Sequence, residues 1–304
     1  MNSLADLRVF GAIGFQDAPN ELWLGKQGYQ PQKSLLKRIV DSAFESKVGV
    51  VGITSEDDAM IQFSPEDRFG FLRHQMGSLY PEYIISRPQE GVFRFWKRGE
   101  KIVYLVNAET IHAPKGSDWH GVKLHVVGGN CLPKKLSLAE AVKEADERGY
   151  MTFLMGVGAS DEARRVADTV AARVTGIIEH DATNTFWDAL TKLPKVGPSL
   201  RGYSRSNNAL AKKYAESFGK PGIAVSSAHW MHEIGRAGIN FELTNENDVL
   251  GDLRTAIKNR NFTNKRGHNN LLDVLRFGHL LQEYGGAPDR FKGADSSYNR
   301  SGEI

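Results

Sequence analysis

Short apolar runs alternate with longer amphipathic stretches along most of the chain. The nearly continuous apolar run at 48–54 is typical of a strand buried on both faces, and the stretch before it, 34–47, repeats apolar residues at helical spacing. The same two patterns recur in order, with strands predicted at 7–15, 101–109, 122–129, 151–158, 176–181 and 221–228, and helices at 137–149, 159–174, 207–219 and 247–262. This alternation predicts an α/β fold with a parallel sheet. The number of repeats favours a barrel over an open six-stranded sheet.

Local signals mark several element ends. Ser137 followed by Glu140 has the spacing of a capping box, which predicts a helix start, and Gly219 is a natural helix C-terminal cap. Apolar residues on both sides of Arg98 and Gly99 predict a β-hairpin that turns at this pair. These signals give the predicted elements definite boundaries.

Two regions are predicted, a barrel at 1–262 and a C-terminal extension at 263–304. The extension opens with a basic, Asn-rich stretch at 263–270, which is either a solvated linker or a contact surface for nucleic acid or a partner subunit. One amphipathic helix follows and ends at Gly285 and Gly286, before a polar tail.

Composition narrows the class of protein. No run of about 18 apolar residues occurs, so the sequence predicts no membrane span, and the first residues lack the pattern of a signal peptide. Cys131 is the one cysteine, which excludes an internal disulfide and fits a reducing compartment. We therefore expect a cytoplasmic protein. The net charge of +3 allows an anionic ligand or nucleic acid without requiring either.

Polar side chains collect at the predicted C-terminal ends of the strands, where parallel α/β barrels carry their functional groups. They include carboxylates and imidazoles, which are ligands for zinc, manganese and iron. The set is Arg8, Ser55, Glu56, Asp57, Glu109, His125, Glu179, His180, Ser227 and His229.

In order along residues 4–262, these segments resemble the PHP (polymerase and histidinol phosphatase) superfamily of metal-dependent phosphoesterases. The opening LADLRVF resembles the family's Asp-Leu-His-x-His, VGITSEDD its Thr-Asp-His-Asp, and SSAHW its Ser-Asp-Ala-His; NAETI, KLHVVGG and TGIIEHD resemble further strands of the family. The resemblance implies a distorted (β/α)7 barrel with a short C-terminal helical extension. It also implies phosphoester hydrolysis by a metal-bound water.

The sequence departs from the family at most ligand positions. Arg8 and Phe10 stand where the family has its paired histidines, and Ser55 and Ser227 stand at two of its other ligand positions. A guanidinium does not deprotonate, so Arg8 brings a fixed cation to a place where a metal cation would sit. We expect Arg8 to replace a metal electrostatically, by pairing with Glu109 or Glu56.

The resemblance implies that the remaining metal ligands are Glu109, His125 and His229, with Asp17, Asp57 and His232 as weaker candidates. Such a set would hold one divalent metal (zinc, manganese or iron) or none. Arg8 and Arg236 are the candidate phosphate-binding residues.

Two functions therefore stay open at this point. The first is a divergent phosphoesterase that acts on a phosphate ester or a nucleic-acid phosphodiester through a reduced metal centre. The second is a catalytically inactive PHP-like barrel that binds a phosphorylated small molecule, nucleic acid or a protein partner.

Overall fold

The computed structural model describes residues 1–10, 33–56, 82–111, 119, 121–128, 132, 136–157, 161–182, 208–228 and 231–268. The strands are β1 (Asn2–Phe10), β2 (Val48–Glu56), β3 (Tyr83–Gln89), β4 (Val92–Lys97), β5 (Val103–Ile111), β6 (Lys123–Val127), β7 (Met151–Met155), β8 (Gly176–Asp181), β9 (Gly222–Val225), β10 (Gly238–Glu242) and β11 (Phe262–Lys265). The helices are α1 (Lys33–Glu45), α2 (Leu138–Glu147), α3 (Asp161–Val170), α4 (Asn208–Ser217) and α5 (Val249–Lys258), with one 3-10 turn at Met231–Glu233. No helix among these residues is long and apolar enough to cross a membrane.

All described strands join one mixed sheet in the order β11-β10-β1-β2-β5-β6-β7-β8-β9, and the β3–β4 hairpin is attached to β5. The α/β barrel predicted from the sequence is confirmed, but the wholly parallel sheet is wrong. Strand β6 runs antiparallel to both β5 and β7, and β10 runs antiparallel to β1. The connection from β5 to β6 spans residues 112–122, which is shorter than a crossover that returns the chain in the parallel direction.

The sheet has an inner face and an outer face with separate cores. The inner core contains Leu7, Tyr104 and Phe153, and it is closed at the amino ends of the parallel strands by α5, whose Val249 and Leu253 pack into it. On the outer face, α1 covers β1, β2 and β5, while α2, α3 and α4 cover β6, β7 and β8. The carboxyl ends of the parallel strands therefore form the mouth of the barrel.

The barrel closes where β9 returns to β1. An isolated parallel bridge joins Val9 to Ala228, and the Ala228 amide donates to the Arg8 carbonyl at 3.2 Å. Further along the same line of closure, the Asn264 side chain of β11 forms the hydrogen bonds to β9 that a neighbouring strand would otherwise form. Its Oδ1 accepts from the Ala224 amide at 3.0 Å, and its Nδ2 donates to the Gly222 carbonyl at 2.9 Å.

Two of the β-bulges in the sheet lie beside residues of the barrel mouth. In β1, Leu7 and Arg8 together face the single residue Gly52 of β2, because Asp6 pairs with Val51 and Val9 with Ile53. In β8, Glu179 is the extra residue between Ile178 and His180, whose partners Ile223 and Ala224 are consecutive in β9. An extra residue changes which side chains face inward after it. The bulges therefore direct the Arg8 and Asp181 side chains into the barrel.

Several predicted boundaries are confirmed. Ser137 caps α2 in a capping box with Glu140, β4 and β5 pair across the turn at Gly99, and Gly219 after α4 has the left-handed φ of 58°. The first strand starts earlier than predicted, at Asn2. The sequence patterns do not predict the short strands β3, β10 and β11. β11 extends the sheet to Lys265, beyond the predicted end of the barrel at 262. The predicted C-terminal helix lies outside the described residues.

Candidate functional site

A buried polar network occupies the inner face at the barrel mouth. The Arg8 guanidinium, with Arg8 only 6% exposed, forms an ion pair with Asp181 through Nη1 and Oδ2 at 3.2 Å. The same Nη1 donates to Ser227 Oγ, and the Ser227 hydroxyl donates to Asp181 Oδ2 at 2.7 Å. Arg8 Nε donates to Thr110 Oγ1 at 3.4 Å. Side chains from four strand ends thus meet around one buried ion pair.

His125 connects this network to the bulge of β1. Its Nε2 lies 2.9 Å from the Leu7 carbonyl, which can only accept, so Nε2 carries the proton and donates. Its Nδ1 then accepts from the Thr110 hydroxyl at 3.1 Å. Both ring nitrogens of His125 are therefore used inside the protein, where the ring is fully buried. Binding a metal through either nitrogen would break one of these two hydrogen bonds.

Backbone geometry positions Ser227 and Asp181, the two members of the network that come from the ends of β9 and β8. Ser227 adopts a left-handed φ of 49°, which is costly for a residue other than glycine and turns the chain sharply at the end of β9. Asn208, the first residue of α4, accepts from the Asp181 amide at 3.0 Å and donates to its carbonyl at 3.1 Å. Asn208 thus fixes the end of β8 from which the Asp181 carboxylate reaches Arg8.

The structure places the predicted ligands Glu109 and His125 on opposite faces of the sheet. His125 lies opposite Thr110 in the β5–β6 register and bonds to it, whereas the neighbouring Glu109 points to the outer face. There, Glu109 Oε2 accepts from the Leu132 amide at 3.1 Å, and Leu132 packs in the core beneath α2. One metal ion could not contact both side chains without rearrangement of the sheet.

The other predicted ligands are more remote or lie outside the described residues. His232 is exposed on the 3-10 turn, and His229, Asp17 and Asp57 lie outside the described part of the chain. Among the described residues, no three His, Cys, Asp or Glu side chains come together as a metal site would require. The described donors therefore do not fit the metal-ligand set that the resemblance implies, because Arg8 and its partners occupy the inner face at the mouth.

Arg8 has a carboxylate partner that sequence patterns alone do not single out. Of the expected partners, Glu109 lies on the outer face and the Glu56 side chain lies outside the described residues, whereas Asp181 forms an ion pair with Arg8. Asp181 and Thr110 are the two network members absent from the predicted set. The signal that could have found them is their position, one residue beyond the predicted candidates His180 and Glu109.

The chain segment that follows β11, residues 266–268, carries Arg266 and His268 and lies against the side chains of Arg236 and His180. Arg236 Nη1 donates to the His268 carbonyl at 3.2 Å and its Nε to the His232 carbonyl at 3.3 Å. His180 Nε2 donates to the Gly267 carbonyl at 2.9 Å. Burial lowers the pKa of His180, which favours this neutral, donating ring. Arg266 pairs with Glu179, and the His180 and His268 rings lie 6.0 Å apart.

Asp6 ties the outer side of β1 to the turn after β9. Its Oδ2 accepts from the Ser226 hydroxyl at 2.5 Å and from the Gly235 amide at 2.8 Å, while Oδ1 accepts from the Ser226 amide at 3.2 Å. Complete burial outweighs these hydrogen bonds and raises the pKa of Asp6 to about 6. Because the folded pKa lies above the ordinary value of 3.8 for this group, Asp6 favours folding most below pH 4.

We expect the stability of the wild type, relative to the variant Asp6→Asn, to fall by about 2 kcal/mol between pH 4 and pH 7. The unfolded Asp6 ionises from near pH 4, whereas the folded carboxyl keeps its proton until about pH 6. Urea unfolding of both proteins at several pH values measures this difference. A gap between the two proteins that stays constant over this range would contradict the raised pKa.

The fold and the network together define the class of protein, an α/β barrel with a buried ion pair in its mouth. The model of the PHP-associated family, PHP_C, matches residues 205–261, which contain α4, β9, β10 and α5. This match bears out, over the segment 205–261, the resemblance to the PHP superfamily.

Solved structures also resemble the chain, among them the following two. PsfC from Pseudomonas syringae PB-5123 has a TM-score of 0.54 and 12% sequence identity over 94% of this chain and 99% of that chain, and therefore shares its fold. A two-domain protein from Bacteroides vulgatus ATCC 8482, containing a predicted PHP-like metal-dependent phosphoesterase, has a TM-score of 0.49 and 12% identity over 88% of this chain and 65% of that chain. A search of curated protein sequences finds no match.

Proposed function

We propose that this chain acts by binding a phosphate-bearing ligand at the mouth of a PHP-type barrel, and that it does not hydrolyse the ligand through a metal centre. The observation that carries the proposal is the buried ion pair between Arg8 and Asp181 on the inner face. Arg8 stands at a position where the resemblance implies a metal-binding histidine. Its fixed positive charge would repel a divalent cation a few ångströms away by several kcal/mol at a moderate effective dielectric, as an order-of-magnitude estimate.

The surroundings of Arg8 support the same proposal. The carboxylate of Asp181 is engaged by a guanidinium and a hydroxyl, and both nitrogens of His125 are hydrogen-bonded. A metal at this place would have to displace a cation and break a set of matched hydrogen bonds. At the mouth, Arg236 and Arg266 offer guanidinium groups of the kind that bind phosphate oxygens in pairs.

Metal analysis distinguishes this proposal from the alternative, a phosphoesterase with a reduced metal centre. We expect protein purified without chelator to contain well below one transition-metal ion per chain. We also expect hydrolysis of bis(p-nitrophenyl) phosphate with added Mn²⁺ or Zn²⁺ to stay at the level of the buffer. A near-stoichiometric metal that is lost in His229→Ala, together with hydrolysis, would establish the phosphoesterase instead.

The double variant R8H/S227D provides a complementary measurement. It exchanges the cation and the hydroxyl beside Asp181 for two metal-binding side chains, and aspartate tolerates the left-handed φ of position 227 better than most residues. Zinc titration by calorimetry should show binding in this variant and much weaker binding in the wild type. Equal zinc affinity of the two proteins would contradict the role given to Arg8.

A further inference from the structure

The chain segment at 266–268 crosses the carboxyl-end rim of the barrel, where two guanidinium groups and two imidazole rings come together. It directly follows β11, which is antiparallel to β10 as β10 is to β1, so β11 ends at the mouth. The segment lies close to the turn before β10, because a Cβ at Gly267 would sit 2.9 Å from the carbonyl carbon of Arg236. We call His180, Arg236, Arg266 and His268 the rim cluster.

The rim cluster has an excess of positive charge. Its two guanidinium groups face one carboxylate, that of Glu179, which pairs with Arg266 and also accepts from Asn264 Nδ2 at 3.0 Å. Arg236 has no acidic partner among the described residues, where its Nε and Nη1 donate to neutral carbonyls. One cation of the cluster is therefore not neutralised within the described part of the chain.

The cluster also keeps donors available for a ligand. Within the described residues, Arg236 Nη2 donates to no other group, and no hydrogen bond reaches the ring nitrogens of the exposed His268. Arg236 is held in place by its two carbonyl contacts, so its guanidinium loses little conformational freedom on binding. A pre-positioned guanidinium matches two oxygens of a phosphate at once, which a flexible ammonium group does not.

We propose that the rim cluster is the subsite for a terminal phosphate group, with Arg236 as its main ligand and His268 as a second donor. This inference rests on the proposed binding function and gives it a location. The cluster is small, with the His180 and His268 rings 6.0 Å apart, which suits one phosphate rather than a run of them. In this arrangement the Arg8–Asp181 ion pair maintains the structure of the mouth, and the rim cluster binds the phosphate group of the ligand.

The experiment measures binding of a fluorescent octathymidylate with and without a 5′-phosphate, with inorganic phosphate as competitor. We expect the 5′-phosphorylated strand to bind more tightly and inorganic phosphate to displace it. Arg236→Ala should weaken binding at least about tenfold, the loss expected for a charge-assisted contact of about 1.4 kcal/mol. Arg236→Lys, which keeps the charge but loses the paired donors, should fall between wild type and Arg236→Ala.

Controls separate a lost contact from a lost fold. Lys258→Ala removes one exposed cation near the opposite, amino-end side of the barrel and should change affinity less than twofold. His268→Ala removes only an exposed ring and should weaken binding about threefold, even if Arg236→Ala proves unstable in a thermal melt.

Each remaining outcome identifies which proposal fails. Binding of the phosphorylated strand that neither Arg236→Ala nor His268→Ala weakens would overturn the rim subsite and leave the proposed function standing. Equal binding of the two strands would overturn the terminal-phosphate subsite and indicate that the protein contacts phosphates along the nucleic-acid backbone. No binding of either strand or of inorganic phosphate by the wild type would overturn both the subsite and the proposed function.

Discussion

Replacing Arg8 with alanine is expected to lower the free energy of unfolding by about 3–5 kcal/mol. The substitution leaves the Asp181 carboxylate, on a residue only 4% exposed, without its ion-pair partner. It also removes donors from Ser227 and Thr110. A charge left unpaired in the interior costs far more than one at the surface, where water replaces the lost partner. Urea unfolding of the two proteins measures the difference.

Arg148→Ala is the matched control for this prediction. Arg148 pairs with Glu144 on the surface of α2, where the side chains are 35% and 33% exposed, so its removal should cost less than about 1 kcal/mol. The double variant Arg8→Ala/Asp181→Ala should be less destabilised than the sum of the two single variants, because the second substitution removes the stranded charge. If Arg8→Ala unfolds at the same urea concentration as Arg148→Ala, the ion pair does not stabilise the barrel.

Gly52→Ala is expected to destabilise the protein by about 3 kcal/mol, at the upper end of the cost of overpacking. A Cβ at position 52 would lie 2.6 Å from the carbonyl carbon of Leu7 and 2.9 Å from its Cα, so backbone rather than a flexible side chain would have to move. The bulge of β1 sits directly opposite, and its displacement would move Arg8 away from Asp181.

Gly99→Ala separates steric conflict from backbone strain. Position 99 has a φ of 83°, but a Cβ added there would meet no atom within 4 Å. Alanine at this position should therefore cost only about 1–2 kcal/mol, because it must adopt a left-handed conformation.

The double variant Gly52→Ala/Arg8→Ala tests whether Gly52 supports Arg8. Combined with Arg8→Ala, Gly52→Ala should add less than its own separate cost, since both act on the same network. Full additivity in thermal and urea unfolding would show that Gly52 does not support Arg8.

Much of the fold follows from local patterns. Periodicity predicts the buried strands β2 and β7 and the helices that cover them, and a capping signal marks the start of α2. The direction of β6 does not follow from periodicity, because an apolar strand has the same pattern in either direction. Strands β10 and β11 are four or five residues long and include Asn and Gly, so their sequences do not stand out from loops.

The candidate site is harder to predict because strand alternation fails at the two bulges. Simple alternation from the inward Leu7 would turn Arg8 outward, and from the inward Ile178 it would turn Asp181 outward. Each bulge adds one residue and reverses that assignment. The sequence thus identifies Arg8 as a cation without identifying its partner. Glycines beside the bulges, Gly52 and Gly222, are visible signals only after the register is known.

The closure between β9 and β1 gives the barrel one wall that differs from the others. Elsewhere neighbouring strands are joined by backbone ladders, whereas here a single backbone bridge at Ala228 is supplemented by side-chain hydrogen bonds of Asn264, Asp6 and Arg8. Regions held by few backbone hydrogen bonds open at the lowest free energy. We therefore expect the barrel to open along this line more readily than at a ladder, and the rim cluster lies beside it. A ligand that contacts both sides of the closure between β9 and β1 would hold them together and slow amide hydrogen exchange at Ala224 and Ala228.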